Sequence, residues 1–201
     1  MSVLYVASDR ARAGKTALCV TLARKLAQEG KKVALFKPFH LATSEGEPDR
    51  DGQILRQAAN VRGTENTPWP TPLDQEDLLR LPMDPALGAF REVSAGAENT
   101  IVEGLSGLDS SLGTASNQLA QSLDARAVVV IGYTPDLGVE EALRSKEVFG
   151  ERLAGVVING ITRYKDRDVR DDLVPRIESH GVKVLAAIPE DRRLLGVSVG
   201  R

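Results

Sequence analysis

Residues Ser8–Thr16 read S-D-R-A-R-A-G-K-T and stand between an apolar run and a segment with helical spacing. A strand, a loop ending in G-K-T and a helix are typical of a phosphate-binding loop, because backbone N–H groups and the helix N-terminus face an anion there. In that interpretation Lys15 reaches the outer phosphates and the Thr16 hydroxyl ligates Mg²⁺. The usual pattern has glycine where Asp9 stands, so a chance tripeptide at a helix start is the alternative.

Apolar runs alternate with helical segments along the whole chain. In Lys15–Gln28, the residues Leu18, Leu22 and Leu26 fall four apart, and Gly30 stops the helix. The apolar runs lack strict alternation, as strands covered on both faces do. This order predicts an α/β fold, a parallel sheet of about six to seven strands with helices on both faces. The predicted strands are Ser2–Ala7, Lys32–Phe36, Thr100–Glu103, Ala127–Gly132, Ala154–Asn159 and Val182–Ile188.

The least regular part of the sequence is Leu41–Pro85, which prolines and glycines interrupt. It predicts two short helices, Asp51–Asn60 and Asp74–Leu79, joined by loops. Long insertions after strands are where α/β proteins commonly meet ligands. Further along the chain, a second regular helix is predicted at Val139–Phe149, and the charge run Arg163–Arg170 indicates a solvated helix start.

The composition is that of an ordinary globular domain. The 201 residues are 42% hydrophobic and 27% charged, with a net charge of -2, which excludes disordered classes and offers nucleic acid or an anionic membrane no global attraction. Cys19 is the only cysteine, which excludes an intramolecular disulfide and fits a reducing cytoplasm. We therefore expect a cytoplasmic nucleotide-binding domain over residues 1–190, with residues 191–201 forming a tail or the start of a further module.

Two acidic residues are candidate oxygen ligands for Mg²⁺. Glu103 follows an apolar strand in T-I-V-E-G and would face the phosphate loop from the carboxyl edge of the sheet. The alternative is an acidic residue that merely ends a strand. Asp51 is the second candidate, although by itself such a residue is more often a helix cap.

Lys37 and Asn159 stand at the ends of two other predicted strands. Lys37 closes the second strand and points toward the edge that holds the phosphate loop, with an ordinary exposed lysine as the alternative. Asn159 ends the fifth strand, where its amide has the donor and acceptor that a purine edge requires, and an Asn-Gly turn is the alternative.

The remaining polar residues indicate structure rather than catalysis. His40 and His180 do not have the spacing of a metal pair, and His180 is typical of a helix end. The serines between Ser106 and Ser116 lack a G-x-S-x-G elbow, which argues against a hydrolase triad. Cys19 falls within the first helix, where we expect buried packing.

Taken together, these motifs resemble dethiobiotin synthetase and its relatives among P-loop proteins, which include cobyrinic acid diamide synthases and ATPases with a deviant phosphate loop. The resemblance covers nearly the whole chain and keeps the order of the motifs. They are Gly14-Lys15-Thr16, Lys37-Pro38, Asp51, Val102-Glu103-Gly104, Val130-Ile131-Gly132, Asn159 and Ile188-Pro189.

The resemblance implies a P-loop NTPase-like fold and a reaction in which an amine is carboxylated, ATP phosphorylates the carbamate and a ring closes. It implies that Lys15 and Lys37 are catalytic, with Lys37 stabilising the carbamate. The implied magnesium ligands are Thr16, Asp51 and Glu103. The implied ATP-binding residues are Ala13, Gly14, Lys15, Thr16, Ala17, Asn159 and Pro189, with Asn159 reading adenine.

The part of the pattern that touches the small substrate departs from the family. The family loop usually reads G-T-D-T-x-V-G-K-T, whereas Ser8–Thr16 differs at most of its first positions. Phe39–Leu41 replaces small polar residues, and Leu105-Ser106-Gly107 replaces Ala-Gly-Gly after Glu103-Gly104. The nucleotide half of the pattern is therefore kept and the substrate half is not.

A second resemblance leaves the function open. Lys37–Asp84 and Ile188–Leu195 resemble the dethiobiotin-synthetase-like N-terminal domain of some phosphotransacetylases and DRTGG-module proteins, which is thought to sense or regulate. One expectation is an ATP-dependent ligase or ATPase on an unidentified small molecule, and the other is a non-catalytic nucleotide-sensing regulatory domain. The resemblance also implies a homodimer, in which Arg10 takes the place of the lysine that deviant-loop ATPases extend across the dimer.

Overall fold

A computed structural model describes residues 1–41, 50–59, 71–73 and 77–191. The strands in these ranges are β1 (Ser2–Ser8), β2 (Val33–Phe36), β3 (Phe39–Leu41), β4 (Thr71–Leu73), β5 (Asn99–Ser106), β6 (Arg126–Gly132), β7 (Leu153–Ile161) and β8 (Val184–Pro189). The helices are α1 (Lys15–Gln28), α2 (Arg50–Ala59), α3 (Met83–Ser94), α4 (Ser110–Ser122), α5 (Glu140–Phe149), α6 (Asp166–Asp168) and α7 (Val174–Ser179).

Within the described ranges, six strands form one parallel sheet in the order β2-β5-β1-β6-β7-β8. The predicted α/β fold and the predicted parallel sheet are confirmed. The first strand is flanked by β5 and β6, so Ser8 at its end pairs with Ser106 on one side and Val130 on the other. The carboxyl ends of these strands therefore surround the loop that follows β1.

Apolar clusters cover both faces of the sheet. Tyr5 and Val6 are both fully buried but belong to different clusters, because successive strand residues point to opposite faces. Helices α1 and α2 pack on the Val6 face through residues such as Cys19, and α3, α4, α5 and α7 pack on the Tyr5 face through residues such as Phe90. The expected buried packing of Cys19 is confirmed.

Two predicted strands run further than expected. β5 continues through Glu103 to Ser106, because its pairing with β1 continues as far as Ser8. β7 continues through Asn159 to Ile161, where it still pairs with Pro189 of β8. The interpretations of Glu103 as a strand end and of Asn159 as part of an Asn-Gly turn are therefore wrong.

The first helix has the predicted bounds but buries a different line of residues. Its buried residues are Lys15, Cys19 and Ala23, whereas the leucines four apart are only partly buried and flank this line. Small side chains at Cys19 and Ala23 let the helix approach the sheet closely, which explains why the line of closest contact is not leucine.

The irregular part is described only in pieces. The predicted helix Asp51–Asn60 is present as α2, with Asp51 in its first turn rather than at its cap, and Asn60 lies outside the described residues. The predicted helix Asp74–Leu79 is a 3-10 turn over Asp77–Leu79 in the described part. The short parallel pair β3 and β4 was not predicted, since strands of three residues, one holding Pro72, give no periodic signal.

The chain after β7 is helical but irregular. The charged run forms a 3-10 turn, the short α6 and then a π-helical turn over Val169–Leu173 before α7. Residues 192–201, which carry most of the predicted tail, lie outside the described residues. No helix in the described ranges has the length and apolar character needed to cross a membrane.

Candidate nucleotide site

The loop between β1 and α1 ends in a left-handed turn at its glycine. Gly14 caps α1 in the left-handed region, with φ 102°. A Cβ atom at this position would lie 2.3 Å from Nδ2 of Asn159. That amide donates a hydrogen bond of 2.8 Å to the Ala13 carbonyl. The positive φ favours glycine here, and a Cβ atom would also displace the Asn159 side chain.

Asp9 and Arg10 tie the start of this loop to the end of β6. The Asp9 carboxylate accepts a hydrogen bond of 3.0 Å from the Gly132 amide and pairs with Arg10 Nε at 2.7 Å. Arg10 Nη2 donates in turn to the Gly132 carbonyl. The residue that stands where a phosphate loop usually has glycine therefore anchors the loop, and Arg10 is engaged within its own chain. The role of Arg10 across a dimer stays a prediction.

A buried group of charges lies beside the loop, at the ends of β2 and β5. Lys15, Lys37 and Glu103 are 7%, 8% and 2% exposed. Lys37 Nζ lies 3.6 Å from Oε1 of Glu103, and Lys15 Nζ donates a hydrogen bond of 2.5 Å to the Ser106 hydroxyl. Buried charges interact strongly because little water screens them, so the cluster concentrates positive charge around one carboxylate.

Two more of the predicted residues, Thr16 and Asp51, interact with this cluster. Burial raises the pKa of Glu103, while Lys37, Lys15 and the Thr16 hydroxyl act in the opposite direction. Burial lowers the pKa of Lys15, and the negative charges of Glu103 and Asp51 partly offset that effect. The structure therefore brings together the predicted catalytic lysines and the predicted metal ligands.

The donor set around Glu103 fits Mg²⁺. Its Oε2 atom is buried and has no hydrogen-bond partner among the described residues, while Thr16 and Asp51 add a hydroxyl and a carboxylate nearby. Over the described ranges, no group of three or more His, Cys, Asp and Glu residues is arranged for a metal. Mg²⁺ does not need such a group, since it commonly binds one or two carboxylates together with substrate phosphates and water.

A cavity of about 600 Å³ opens on the other side of the loop, toward β6, β7 and β8. The predicted residues that line it are Ala13, Gly14, Ala17, Asn159 and Pro189. Lys15 and Thr16 lie instead beside Glu103. The predicted site residues thus fall into two groups, one around Glu103 and one around the cavity.

Several cavity residues were not predicted. They are Arg10, Arg12, Leu18, Thr21, Val130, Gly132, Tyr133, Val157, Gly160, Ile188, Glu190 and Asp191. Helical spacing from Gly14 and Ala17 would have indicated Leu18 and Thr21. The contact of Ser106 with Lys15 was also missed, and its only signal was the departure of this residue from the family pattern.

The fold and the loop define a P-loop nucleotide-binding domain. Residues 2–197 match the AAA domain family, AAA_26, and the chain belongs to it as a dethiobiotin synthetase-like member. The MinD cell division protein of Aquifex aeolicus has the same fold, with 17% identity and a TM-score of 0.56 over 97% of this chain and 85% of that protein.

Two relatives are similar over almost the full length. The ATP-dependent dethiobiotin synthetase BioD of Rhodococcus jostii is 29% identical over 100% of this chain and 92% of its own. The ATP-dependent dethiobiotin synthetase BioD of Bacillus licheniformis is 27% identical over 94% of this chain and 86% of its own. The resemblance drawn from the motifs is confirmed.

Proposed function

We propose that the chain binds ATP with Mg²⁺ and acts as a dethiobiotin synthetase-like ligase or ATPase that transfers a phosphoryl group to an unidentified substrate. The observation that carries this proposal is the buried cluster in which Lys15 and Lys37 flank Glu103 beside the phosphate loop. Both relatives described above are named ATP-dependent dethiobiotin synthetases, which supports the same class of chemistry.

The residues of the cluster have separate tasks in this proposal. Thr16, Asp51 and Glu103 would hold Mg²⁺, which when bound offsets the charge that develops on the phosphates. Lys15 would bind the outer phosphates, and Lys37 would hold the group that accepts the phosphoryl. Phosphoryl transfer requires mainly positioning and charge stabilisation, and buried lysines supply both.

The cavity would hold the nucleoside. Asn159 uses Nδ2 for the Ala13 carbonyl, which leaves its Oδ1 to serve a base as an acceptor. Adenine presents an amino donor at the position where guanine presents a carbonyl acceptor. We therefore expect the site to prefer ATP to GTP.

Thermal unfolding with and without nucleotide tests the site. Magnesium with ATP at 100 times its dissociation constant stabilises a protein by about 2.7 kcal/mol, a shift of roughly 5 to 10 °C for this size. Lys15→Ala should abolish the shift, and Lys31→Ala, which changes an exposed lysine just beyond the same helix, should keep it. No shift with ATP, ADP or GTP in the wild type would contradict the proposal.

The alternative is a nucleotide-sensing domain. It is favoured by the loop residues that differ from the family pattern, because Asp9 and Arg10 bind Gly132 rather than being open to a small substrate. Turnover distinguishes the two functions. An ATPase rate that Lys15→Ala removes would support an enzyme. Tight binding without turnover in the presence of amines, carboxylates and bicarbonate would support the sensor.

The substrate and the assembly state belong to the same proposal. Because the substrate half of the loop differs from the family pattern, we expect no dethiobiotin from diaminononanoate, bicarbonate and ATP. Detection of the product by mass spectrometry would reverse that expectation. We also propose a homodimer in the cytoplasm, and light scattering that returned the mass of one chain with and without nucleotide would contradict the dimer.

A further inference from the structure

Ser106 lies at a topological switch point of the sheet, where the connections after two neighbouring strands leave toward opposite faces. Ser106 ends β5 and pairs in register with Ser8, the last residue of β1. The helix after β1 packs on one face of the sheet and the helix after β5 packs on the other. In parallel α/β sheets, such a point at the carboxyl edge is where ligands are held.

Ser106 is also in direct contact with the lysine of the phosphate loop. Lys15 Nζ donates to Ser106 Oγ at 2.5 Å. An ammonium group has three donors, so Lys15 keeps donors for phosphate oxygens while it holds this hydroxyl. A hydroxyl that accepts a hydrogen bond still has its own proton to donate, and across the described residues that proton of Ser106 has no acceptor.

The order of the strands indicates which phosphate this proton faces. The cavity for the nucleoside lies over β6, β7 and β8, whereas Ser106 lies on β5, on the far side of β1. A nucleotide whose base occupies the cavity runs its phosphates across the loop after β1 toward β5. The phosphate furthest from the nucleoside is therefore the one that reaches Ser106.

We propose that Ser106 donates a hydrogen bond to the terminal phosphate of a bound nucleoside triphosphate and so makes the site prefer triphosphate to diphosphate. This inference rests on the proposed function, because it requires a nucleotide in the loop. It concerns a side chain by which this sequence departs from its family, since a glycine at this position has no hydroxyl to offer.

The test compares a non-hydrolysable ATP analogue with ADP by titration calorimetry at fixed Mg²⁺, using the full chain. A hydrogen bond to a charged group is worth about a tenfold change in affinity or more. Ser106→Ala should weaken binding of the analogue by about tenfold and change that of ADP by less than about twofold. Ser106→Thr keeps the hydroxyl and should retain the preference, and Ser122→Ala, at an exposed serine of α4, should leave both affinities unchanged.

Each further outcome separates the two proposals. If the wild type binds both nucleotides and Ser106→Ala changes neither, the nucleotide site stands and the assignment of Ser106 falls. An equal loss for both nucleotides would mean that Ser106 only positions Lys15, which also overturns the assignment. If the wild type binds neither nucleotide, the proposed function fails and the assignment fails with it.

Discussion

The two sides of the phosphate loop differ in how they hold their charged groups. On the β5 side, Lys15, Lys37 and Glu103 are almost fully buried. On the cavity side, the Arg10 side chain is 43% exposed and Arg12 is exposed as well. Water screens the second set and not the first, so charge changes on the buried side should have the larger consequences. In the proposed function, the buried side carries the phosphate chemistry and the open side recognises the base.

The largest effect is expected at Gly14, which lies between the two sides of the loop. Gly14→Ala places a Cβ against Asn159 in a backbone conformation that L-residues adopt at a cost. We expect a loss of about 3 kcal/mol of unfolding free energy, from backbone strain and from loss of the bond between Asn159 and Ala13. Nucleotide-dependent stabilisation should disappear with it, as measured by denaturant titration with and without Mg-ATP.

A second glycine distinguishes backbone strain from the contact with Asn159 as the cause of the lost stability. Gly96 also has a positive φ, of 77°, but a Cβ there meets no described atom within 4 Å. Gly96→Ala should therefore lose only the conformational part, about 1 kcal/mol, and keep the response to nucleotide. Equal losses for both variants would show that the contact with Asn159 is unimportant.

Asn159→Ala tests the open side alone. It removes the amide that binds the Ala13 carbonyl and leaves the buried charges in place. We expect a loss of about 1 kcal/mol of stability and a weakened preference for ATP over GTP, with Gln118→Ala on the exposed face of α4 as the control. Unchanged nucleotide selectivity would exclude Asn159 from base recognition.

Lys15→Met tests the buried side through its pH dependence. Burial lowers the pKa of Lys15 from its ordinary value of 10.5. Between the lowered value and 10.5, the unfolded chain binds more protons than the folded chain, so the stability contributed by this group rises with pH. The variant should therefore be more stable than the wild type without ligand at neutral pH and should lack that rise.

The pH series has its own control. Lys31→Met, at an exposed position, should leave the stability curve unchanged. A Lys15→Met variant that is less stable than the wild type would show that the hydrogen bond to Ser106 and the attraction to Glu103 outweigh the cost of burying the ammonium group.

The smallest effect is expected at the cavity rim. Arg10→Ala removes partly exposed contacts with Asp9 and Gly132, so its stability should fall by less than about 1 kcal/mol. If Arg10 also acts across a dimer, the ATPase rate should fall far more than stability does. An unchanged rate would remove that role, and Arg12→Ala serves as the comparison on the same loop.

Much of the fold was predictable because its signals are local. Val-, Ile- and Leu-rich runs gave all six strands of the main sheet, and the carboxyl ends of parallel strands meet at one edge, which brings Lys37 and Glu103 to the loop. The part of the site that was not predicted depends on how the strands are aligned with one another. The pairing of β1 with β5 shifts between Val6 and Ser8, and that shift places Ser106 beside the loop. No local pattern indicates such a shift.

Contacts made by polar side chains across long sequence distances were equally hidden. In the sequence, Asp9 is only a departure from the loop motif. In the structure, its carboxylate binds the amide of Gly132, which is 123 residues away. In the same way, Lys15 and Ser106 are 91 residues apart. Residue types alone predict which chemistry is available, whereas the partner of each group is set by the assembled sheet.

The position of β1 also governs when the site can exist. Its two partners, β5 and β6, are far from it in sequence, so β1 has no neighbour until Ser106 has been synthesised and lacks its second neighbour until Gly132 has been. Such pairings form slowly because long loops must close first. The first strand made therefore waits for both of its neighbours, and because the cavity also takes residues from β7 and β8, nucleotide binding would report on the maturation of the whole sheet.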